Sequence, residues 1–279
     1  MRKMARSCGG LALSLSLLAG CGLQGTDPQT VLDHAVSGLS GKDNFAFTGK
    51  TQLSMGGLPP VPGISFRGMV SGHNQLLMQV VAGETTDGTL SPKQVELSRR
   101  SKGATVQLSR SKDEWIVSEG PEAAEAGQLV RWNPLSHLER LNVMPKQVSR
   151  EKGASVPSGT IVLNVTPDAG EVAARLRADL DAELQTLTAD RKLQELQQRL
   201  QLSDKTTAAM RGEVEKSLAD SRAKVEEMKN SLKAESVYRI GVDRKSNLPV
   251  SMQVMTKLHY NSGGAPKDET TEVTYAFGE

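Results

Sequence analysis

The sequence predicts an α+β fold, a large antiparallel sheet interrupted by a helical insertion. Three observations lead there. Apolar residues recur with a period of two from Asn44 to Val117 and again from Tyr238 to the end. The turn signals between these runs are too closely spaced for parallel crossovers, so consecutive antiparallel hairpins are expected. Between Thr166-Pro167-Asp168 and Ser236 there is no further proline and only Gly170 and Gly212 as glycines, while Ala, Leu, Glu, Gln, Lys and Arg, all good helix formers, dominate.

The chain opens with Arg2, Lys3 and Arg6, followed by an apolar run from Leu11 to Leu18 broken only by Ala and Ser. That run falls short of the ~20 residues a membrane-spanning helix needs and reads as the hydrophobic region of a secretory signal, residues 1–20. In Leu18-Ala19-Gly20-Cys21 the small residues leave room for a peptidase, and the cysteine after them offers a thiol for lipid attachment. Residues 21–29 read as a lipidated, flexible tether. A short amphipathic helix follows from Thr30 to about Leu39, with Val31, Leu32, Ala35, Val36 and Leu39 on one face, Asp27-Pro28 at its entry and Gly38 and Gly41 at its stop.

In the first strand Phe45, Phe47, Gly49, Thr51, Leu53 and Met55 share a face, with Lys50, Gln52 and Ser54 opposite. Pro59, Pro60, Pro62 and Gly63 make a turn. Strands are predicted over 65–71, 75–81, 94–100, 105–109 and 114–117, separated by turn signals at Gly72-His73-Asn74, Asp87-Gly88, Lys102-Gly103 and Lys112-Asp113. A short helical connection fits Trp132 to Leu141, with further strands over 146–150 and 160–165.

Residues 167–236 form the helical insertion. Leu176, Leu180, Leu184 and Leu187 make one stripe; Leu193, Leu196 and Leu200 make a second, displaced by the six-residue step between 187 and 193. Met210, Val214, Leu218, Val225, Met228 and Leu232 make a third. The step predicts a break near Thr188–Asp190, and Leu202-Ser203-Asp204 predicts a reversal. The result is an antiparallel helical hairpin, because a single rod would leave narrow stripes in water over roughly 100 Å. Tyr238, Ile240 and Val242 then alternate, Asp243–Asn247 turns, a long strand runs from Val250 to Tyr260, residues 261–267 make a loop, and Glu272 to Phe277 is the last strand.

The 279 residues carry 34 basic and 32 acidic side chains; removal of Arg2, Lys3 and Arg6 with the leader leaves 31 basic against 32 acidic. No strong field remains to attract nucleic acid, which is excluded as a partner. Cys8 leaves with the leader and Cys21 carries lipid, so the mature chain has no thiol pair for a disulfide or a cysteine metal site.

Chemical motifs are sparse. Gly49-Lys50-Thr51 matches the end of a phosphate-binding loop, but position 44 is Asn and the triplet lies in a predicted strand. Ser109/Lys112, Ser149/Lys152 and Ser221/Lys224 match a Ser-x-x-Lys spacing without its companion motifs. His34, His73, His137 and His259 are scattered without metal-ligand spacing; His34 falls on the wet face of the first helix and His73 in a turn. Asp179/Asp181 and Glu226/Glu227 diverge around a helix. Trp115 and Trp132 are candidates for pocket lining or core. No catalytic residue, cofactor or metal is expected.

Two resemblances complete the reading. Leu18-Ala19-Gly20-Cys21 resembles the lipobox of bacterial lipoproteins. It implies signal-peptidase recognition at Leu18, Ala19 and Gly20 and lipidation of Cys21 with diacylglycerol and palmitate. Tyr238-Arg-Ile-Gly-Val-Asp-Arg-Lys-Ser-Asn-Leu-Pro-Val-Ser-Met, and the run from Gly159 to Val165 leading into a helix at Asp168, resemble the LolA/LolB and LppX/LprG-type superfamily of envelope lipoproteins over about residues 30–279. That resemblance implies a curved sheet folded into a half-barrel, closed on its inner face by helices, and an apolar ligand held there. It implies a non-enzymatic protein on the extracytoplasmic side of the cell membrane, or in the outer membrane of a two-membrane cell, since Gly22 and not Asp follows the cysteine. Its membrane partner is reached through Cys21. The helical hairpin is either a lid over the sheet or an arm for an envelope protein, which makes a structural or regulatory interaction module the alternative. An enzyme assembled from distant positions is a third reading.

Overall fold

The structure, a computed structural model, describes residues 27–56, 58, 60–81, 105–111, 114–119, 130–153 and 156–278. The leader, Leu18 to Cys21, Pro59, the strand expected over 94–100 and the turn signals at Asp87-Gly88, Lys102-Gly103 and Lys112-Asp113 lie outside these residues.

Helix α1 (Pro28–Ser40) starts two residues before the expected Thr30, because Asp27 Oδ2 caps Thr30 N and Pro28 sits where its missing N–H costs nothing. All five residues of its predicted apolar stripe are buried. Ten strands follow: β1 (Asn44–Met55), β2 (Val61–Ser71), β3 (Gln75–Val81), β4 (Thr105–Ser111), β5 (Glu114–Glu119), β6 (Lys146–Arg150), β7 (Thr160–Pro167), β8 (Lys233–Asp243), β9 (Pro249–Ser262) and β10 (Ala265–Gly278). They form one curved, unclosed antiparallel sheet in the order β5-β4-β3-β2-β1-β10-β9-β8-β7-β6, so the first and last strands pair at its middle. Four more helices complete the described chain: α2 (Pro134–Val143), α3 (Ala169–Thr186), α4 (Ala189–Leu200) and α5 (Asp204–Ser231).

Some expected boundaries are corrected. Pro62 and Gly63 belong to β2, not to a turn. Opposite them β1 shifts register between Lys50 and Gln52, and Thr51 Oγ1 accepts from Ile64 N at 2.9 Å. A Cβ on Gly63 would stand 1.7 Å from the Thr51 carbonyl oxygen. A bulge therefore admits the proline and requires the glycine. The loop expected over 261–267 is a two-residue turn, Gly263-Gly264, with φ of 63° and 75°. That conformation matches the twist of a hairpin, so β10 begins at Ala265 and pairs in register from Ser262 onward. β8 starts at Lys233 rather than Tyr238, since Ala234 and Ser236 continue its buried face in small residues that read as helix.

One face of the sheet is covered and the other exposed. On the inner face Phe45, Phe47, Phe66, Leu76, Met78, Leu108, Leu163, Ile240 and Met252 pack in a continuous apolar layer beneath α1 and α2. Phe66 and Phe47 lie across glycines of the neighbouring strand: a Cβ on Gly49 would meet Phe66 at 2.3 Å, and one on Gly68 would meet Phe47 at 2.4 Å. These glycines make room for the rings. Farther along the same face Val172 and Ala173 of α3 pack on Ala234 of β8. Alternate residues such as Met69, Leu77 and Val237 are exposed on the outer face.

Candidate functional site

β5 and β6 are opposite edges of the sheet, and α2 belongs to the chain between them. α2 lies in this connection, on the inner face. Asn133 Oδ1 caps it by accepting from Leu135 N at 2.9 Å, Pro134 opens it, and Pro134, Leu135, Leu138 and Leu141 are buried. Trp132 stacks on Phe66 of β2, with ring centroids 5.5 Å apart. The His137 ring meets Tyr238 of β8 at 6.3 Å and Tyr275 of β10 at 5.9 Å, both edge to face. Two partly exposed ion pairs fasten the rim, Glu139 to Arg110 of β4 at 3.0 Å and Arg140 to Asp179 of α3 at 3.1 Å.

Under α2 is a small polar set in apolar surroundings. Burial, reinforced by the Arg140 charge, pushes the His137 imidazole down to about 4 and keeps it neutral at ordinary pH. Burial also pushes the Tyr238 hydroxyl up to about 12 and that of Tyr275 well above its usual value. Tyr275 donates to the Trp132 carbonyl at 3.2 Å. Trp115 Nε1, Asn133 Nδ2 and His137 Nε2 are buried and make no hydrogen bond. Such atoms are uncommon in folded proteins, because each forfeits its bond to water.

The helical hairpin has a fixed root and a free end. Arg177 of α3 donates to the Lys229 and Leu232 carbonyls of α5 at 3.0 and 2.6 Å, and Lys229 pairs with Asp181. Glu227 accepts from the main-chain N–H groups of Gly263 and Gly264 at 2.9 and 2.8 Å, which ties α5 to the β9–β10 turn. Farther out α4 packs along α5 through Asp190–Arg211 at 2.8 Å, with Leu193 and Val214 buried. The break predicted at Thr188 and the reversal at Ser203 are the caps of α4 and α5.

A shallow open trough of about 480 Å³ lies on the outer face, floored by Ala46, Thr48 and Ala276 and walled by Arg67, Met69 and Leu77.

The other sequence candidates separate. Cys21, with Leu18, Ala19 and Gly20, lies outside the described residues. His34 is exposed on α1, His73 sits in the β2–β3 turn 2.7 Å from Asp43, and His259 is 2.7 Å from Asp268; only His137 enters the interior. Among the described residues no three His, Cys, Asp or Glu side chains are grouped to hold a metal. Ser149 Oγ donates to the Asn164 carbonyl and Ser221 Oγ to the Ser217 carbonyl, so neither is directed to its lysine partner in the Ser-x-x-Lys spacing. Asp179 turns to Arg140 and Asp181 to Lys229, in keeping with their divergence. Trp115 is buried on β5, and Trp132 is half-buried. No described helix is long and apolar enough to cross a membrane.

No family model matches the sequence, and no curated protein matches it. Among solved structures the chain is similar to a LolA superfamily protein from Nitrosomonas europaea, at 8% identity, a TM-score of 0.27 and coverage of 90% of this chain and 92% of that one. It is similar to the Mycobacterium tuberculosis lipoprotein LppX at 9% identity and a TM-score of 0.32, covering 91% and 97%. Lipovitellin, in a structure of its lipid–protein interactions, matches 85% of this chain at 7% identity and a TM-score of 0.38; this chain spans 25% of the lipovitellin chain. The fold class itself stands on the strand order and the helix placement: a large, unclosed, curved antiparallel sheet with helices over its inner face, as expected for a LolA/LppX-like half-barrel.

Proposed function

We propose that this chain is a membrane-anchored, non-enzymatic envelope lipoprotein that holds an apolar ligand between the inner face of its sheet and α2. The observation that carries this reading is the way α2 is mounted. It crosses a continuous apolar layer, yet its polar fastenings to the neighbouring elements include two ion pairs at a half-exposed rim. Pairs of that kind contribute about 0–1 kcal/mol each. Lifting α2 therefore exchanges apolar side-chain contacts for apolar ligand contacts at small polar cost, and concave apolar spaces of this kind suit hydrophobic ligands. Lipidation at Cys21, after recognition of Leu18, Ala19 and Gly20, supplies the membrane attachment and puts the domain on the extracytoplasmic side.

Native mass spectrometry of the purified protein, followed by titration with the neutral alkyl-aryl probe N-phenyl-1-naphthylamine, tests the ligand. Co-purified lipid or saturable uptake is expected. A protein that carries no lipid and takes up no probe refutes the reading.

A second reading draws on the free end of the hairpin, where Leu187 and Leu200 are 37% and 52% exposed. There α4 and the first half of α5 serve as an arm for an envelope protein partner.

A further inference from the structure

The trough on the outer face is built by the register of four strands. Ala46 stands opposite Met69 of β2 and Gly278 of β10, and Met69 stands opposite Leu77 of β3. One step along, Thr48 faces Arg67 and Ala276, and Arg67 faces Gln79. Two rows of side chains therefore run together across β3, β2, β1 and β10, long on the first two strands and short on the last two. The rows span about 14 Å, three strand spacings. The volume of about 480 Å³ is that of a small-ligand site.

The lining decides what the trough can hold. All four strands have neighbours on both sides, so their main-chain groups are spent in the ladders and none is left for a peptide strand. Ala46 and Ala276 give an apolar floor, and Met69 and Leu77 beside it are 50% and 43% exposed. That surface suits a hydrocarbon chain. Arg67 is the charged residue of the lining. Its Nε and Nη2 both donate to Gln79 Oε1, at 3.0 and 2.7 Å. An amide thus fixes the guanidinium without neutralising it, and Nη1 makes no hydrogen bond among the described residues.

Charge on this face has one sign. Among the described residues of β1 to β4, the other outward charge is Lys50, a diagonal neighbour about 7–8 Å from Arg67, while Arg110 turns inward to Glu139 of α2. The first outward carboxylate along β10, Glu272, is two rows and two strands from Arg67, about 16 Å away, and accepts from Gln253 at 2.7 Å. Two cations are too few for a bilayer, since each is worth about a factor of five at an anionic surface.

We propose that the trough is a second ligand site, on the opposite side of the sheet from α2, for a free single-chain amphiphile with an acid head. Its hydrocarbon lies over Ala46 and Ala276 against Met69 and Leu77, and its carboxylate meets Arg67. Fatty acids are the chemical class that fits.

Carbon-13 methyl NMR of the delipidated, methionine-labelled whole chain reads the two faces separately, because Met69 is exposed outside and Met78 and Met252 are buried inside. The titrants are laurate, 1-dodecanol and dodecyltrimethylammonium, each kept below its micelle concentration. Laurate is expected to shift the Met69 methyl saturably and to bind about fivefold more tightly than dodecanol, the upper end for an exposed ion pair. That preference should shrink in high salt, and the ammonium should bind most weakly. Arg67→Gln should bring laurate to the affinity of dodecanol. Ala276→Leu fills the floor at an exposed position and should abolish the Met69 response to both. Dodecyltrimethylammonium binding as tightly as laurate overturns the anionic head. Shifts at Met78 and Met252 with Met69 unmoved overturn the outer site and leave the inner-face reading standing. A Met69 response that needs anionic vesicles puts a bilayer in place of the free amphiphile and overturns the proposal. No methyl response at all overturns the outer site, and uptake of the naphthylamine then judges the inner face by itself.

Discussion

A histidine kept neutral among tyrosines makes the stability of this domain depend on pH. The groups facing His137 are Tyr238 from β8, Tyr275 from β10 and Arg140 on its own helix, and Asp179 of α3 is held by that arginine. None of them supplies a direct anionic partner for an imidazolium. Between pH about 6.5 and 4 the unfolded chain takes up a proton that the folded chain refuses, so the unfolded state binds more protons and stability falls as pH falls through that window. The stability is fully present above pH about 6.5, and about 3 kcal/mol of it is lost by the time pH has fallen below about 4. Urea unfolding at pH 7.5 and 4.5 should show the wild-type chain losing about 2 kcal/mol more than His137→Phe. Equal losses would mean that the ring protonates freely in the folded protein. The sequence held the signal for this burial: Pro134, Leu138 and Leu141 stand three before, one after and four after His137 and draw it toward the apolar face of a short helix. It was obscured because a lone histidine is judged by its distance from other metal ligands and not by the helix face it shares.

At the scale of the element, the helical hairpin divides where its contacts change. α3 and the last turns of α5 cover Ala234 and the β9–β10 turn, whereas α4 and the first half of α5 hold mainly one another. Removing all of 170–235 would therefore strip cover from the inner face. A cleaner excision takes 188–221 and joins Leu187 to Arg222 through a two-residue Gly-Asn linker, because Arg222 Nη2 already donates to the Leu187 carbonyl at 2.7 Å. The shortened chain should unfold cooperatively, with stability within about 1 kcal/mol of the parent, and should keep its uptake of apolar probe; loss of a crosslinked envelope protein in the same variant is the outcome expected if the distal part is an arm. Loss of probe uptake instead would assign the whole hairpin to the lid. The break and the reversal that make this dissection feasible were legible in the sequence, through the six-residue step after Leu187 and the Ser203-Asp204 cap. So were β3 and β6, residue for residue, since each alternates cleanly between strong turn signals. What escaped was polar or small: the paired stretch from Pro266 to Thr271, the start of β8 at Lys233 and the bulge at Pro62-Gly63. In each case pairing with a neighbouring strand fixes the conformation, and a single segment carries no record of its partner.

For the whole molecule, the pairing of the first strand with the last at the middle of the sheet leaves β5 and β6 as opposite edges. Between these edges in the chain stands α2, packed on the inner face. The same arrangement starts α1 at Pro28, only seven residues beyond Cys21. Even fully extended, those residues reach roughly 25 Å, so a lipidated Cys21 would keep the domain close to the bilayer surface, within range of its lipids. One acyl chain gives marginal, reversible attachment, while several chains anchor stably, and the formal charges of the chain without its leader nearly cancel, which leaves no strong electrostatic second signal. Substitution of the single sulfur should therefore act almost as a switch. Cell fractionation of Cys21→Ala is expected to move the protein from the membrane to the soluble or secreted fraction, with the leader retained or cut elsewhere as read by mass. The urea midpoint of the released domain should match that of the parent, because the described fold begins beyond the tether. A Cys21→Ala protein that still sediments with membranes in full, with its leader removed, would shift the attachment from the lipid to the protein surface, and the exposed outer face around Met69 and Leu77 would be the first place to probe.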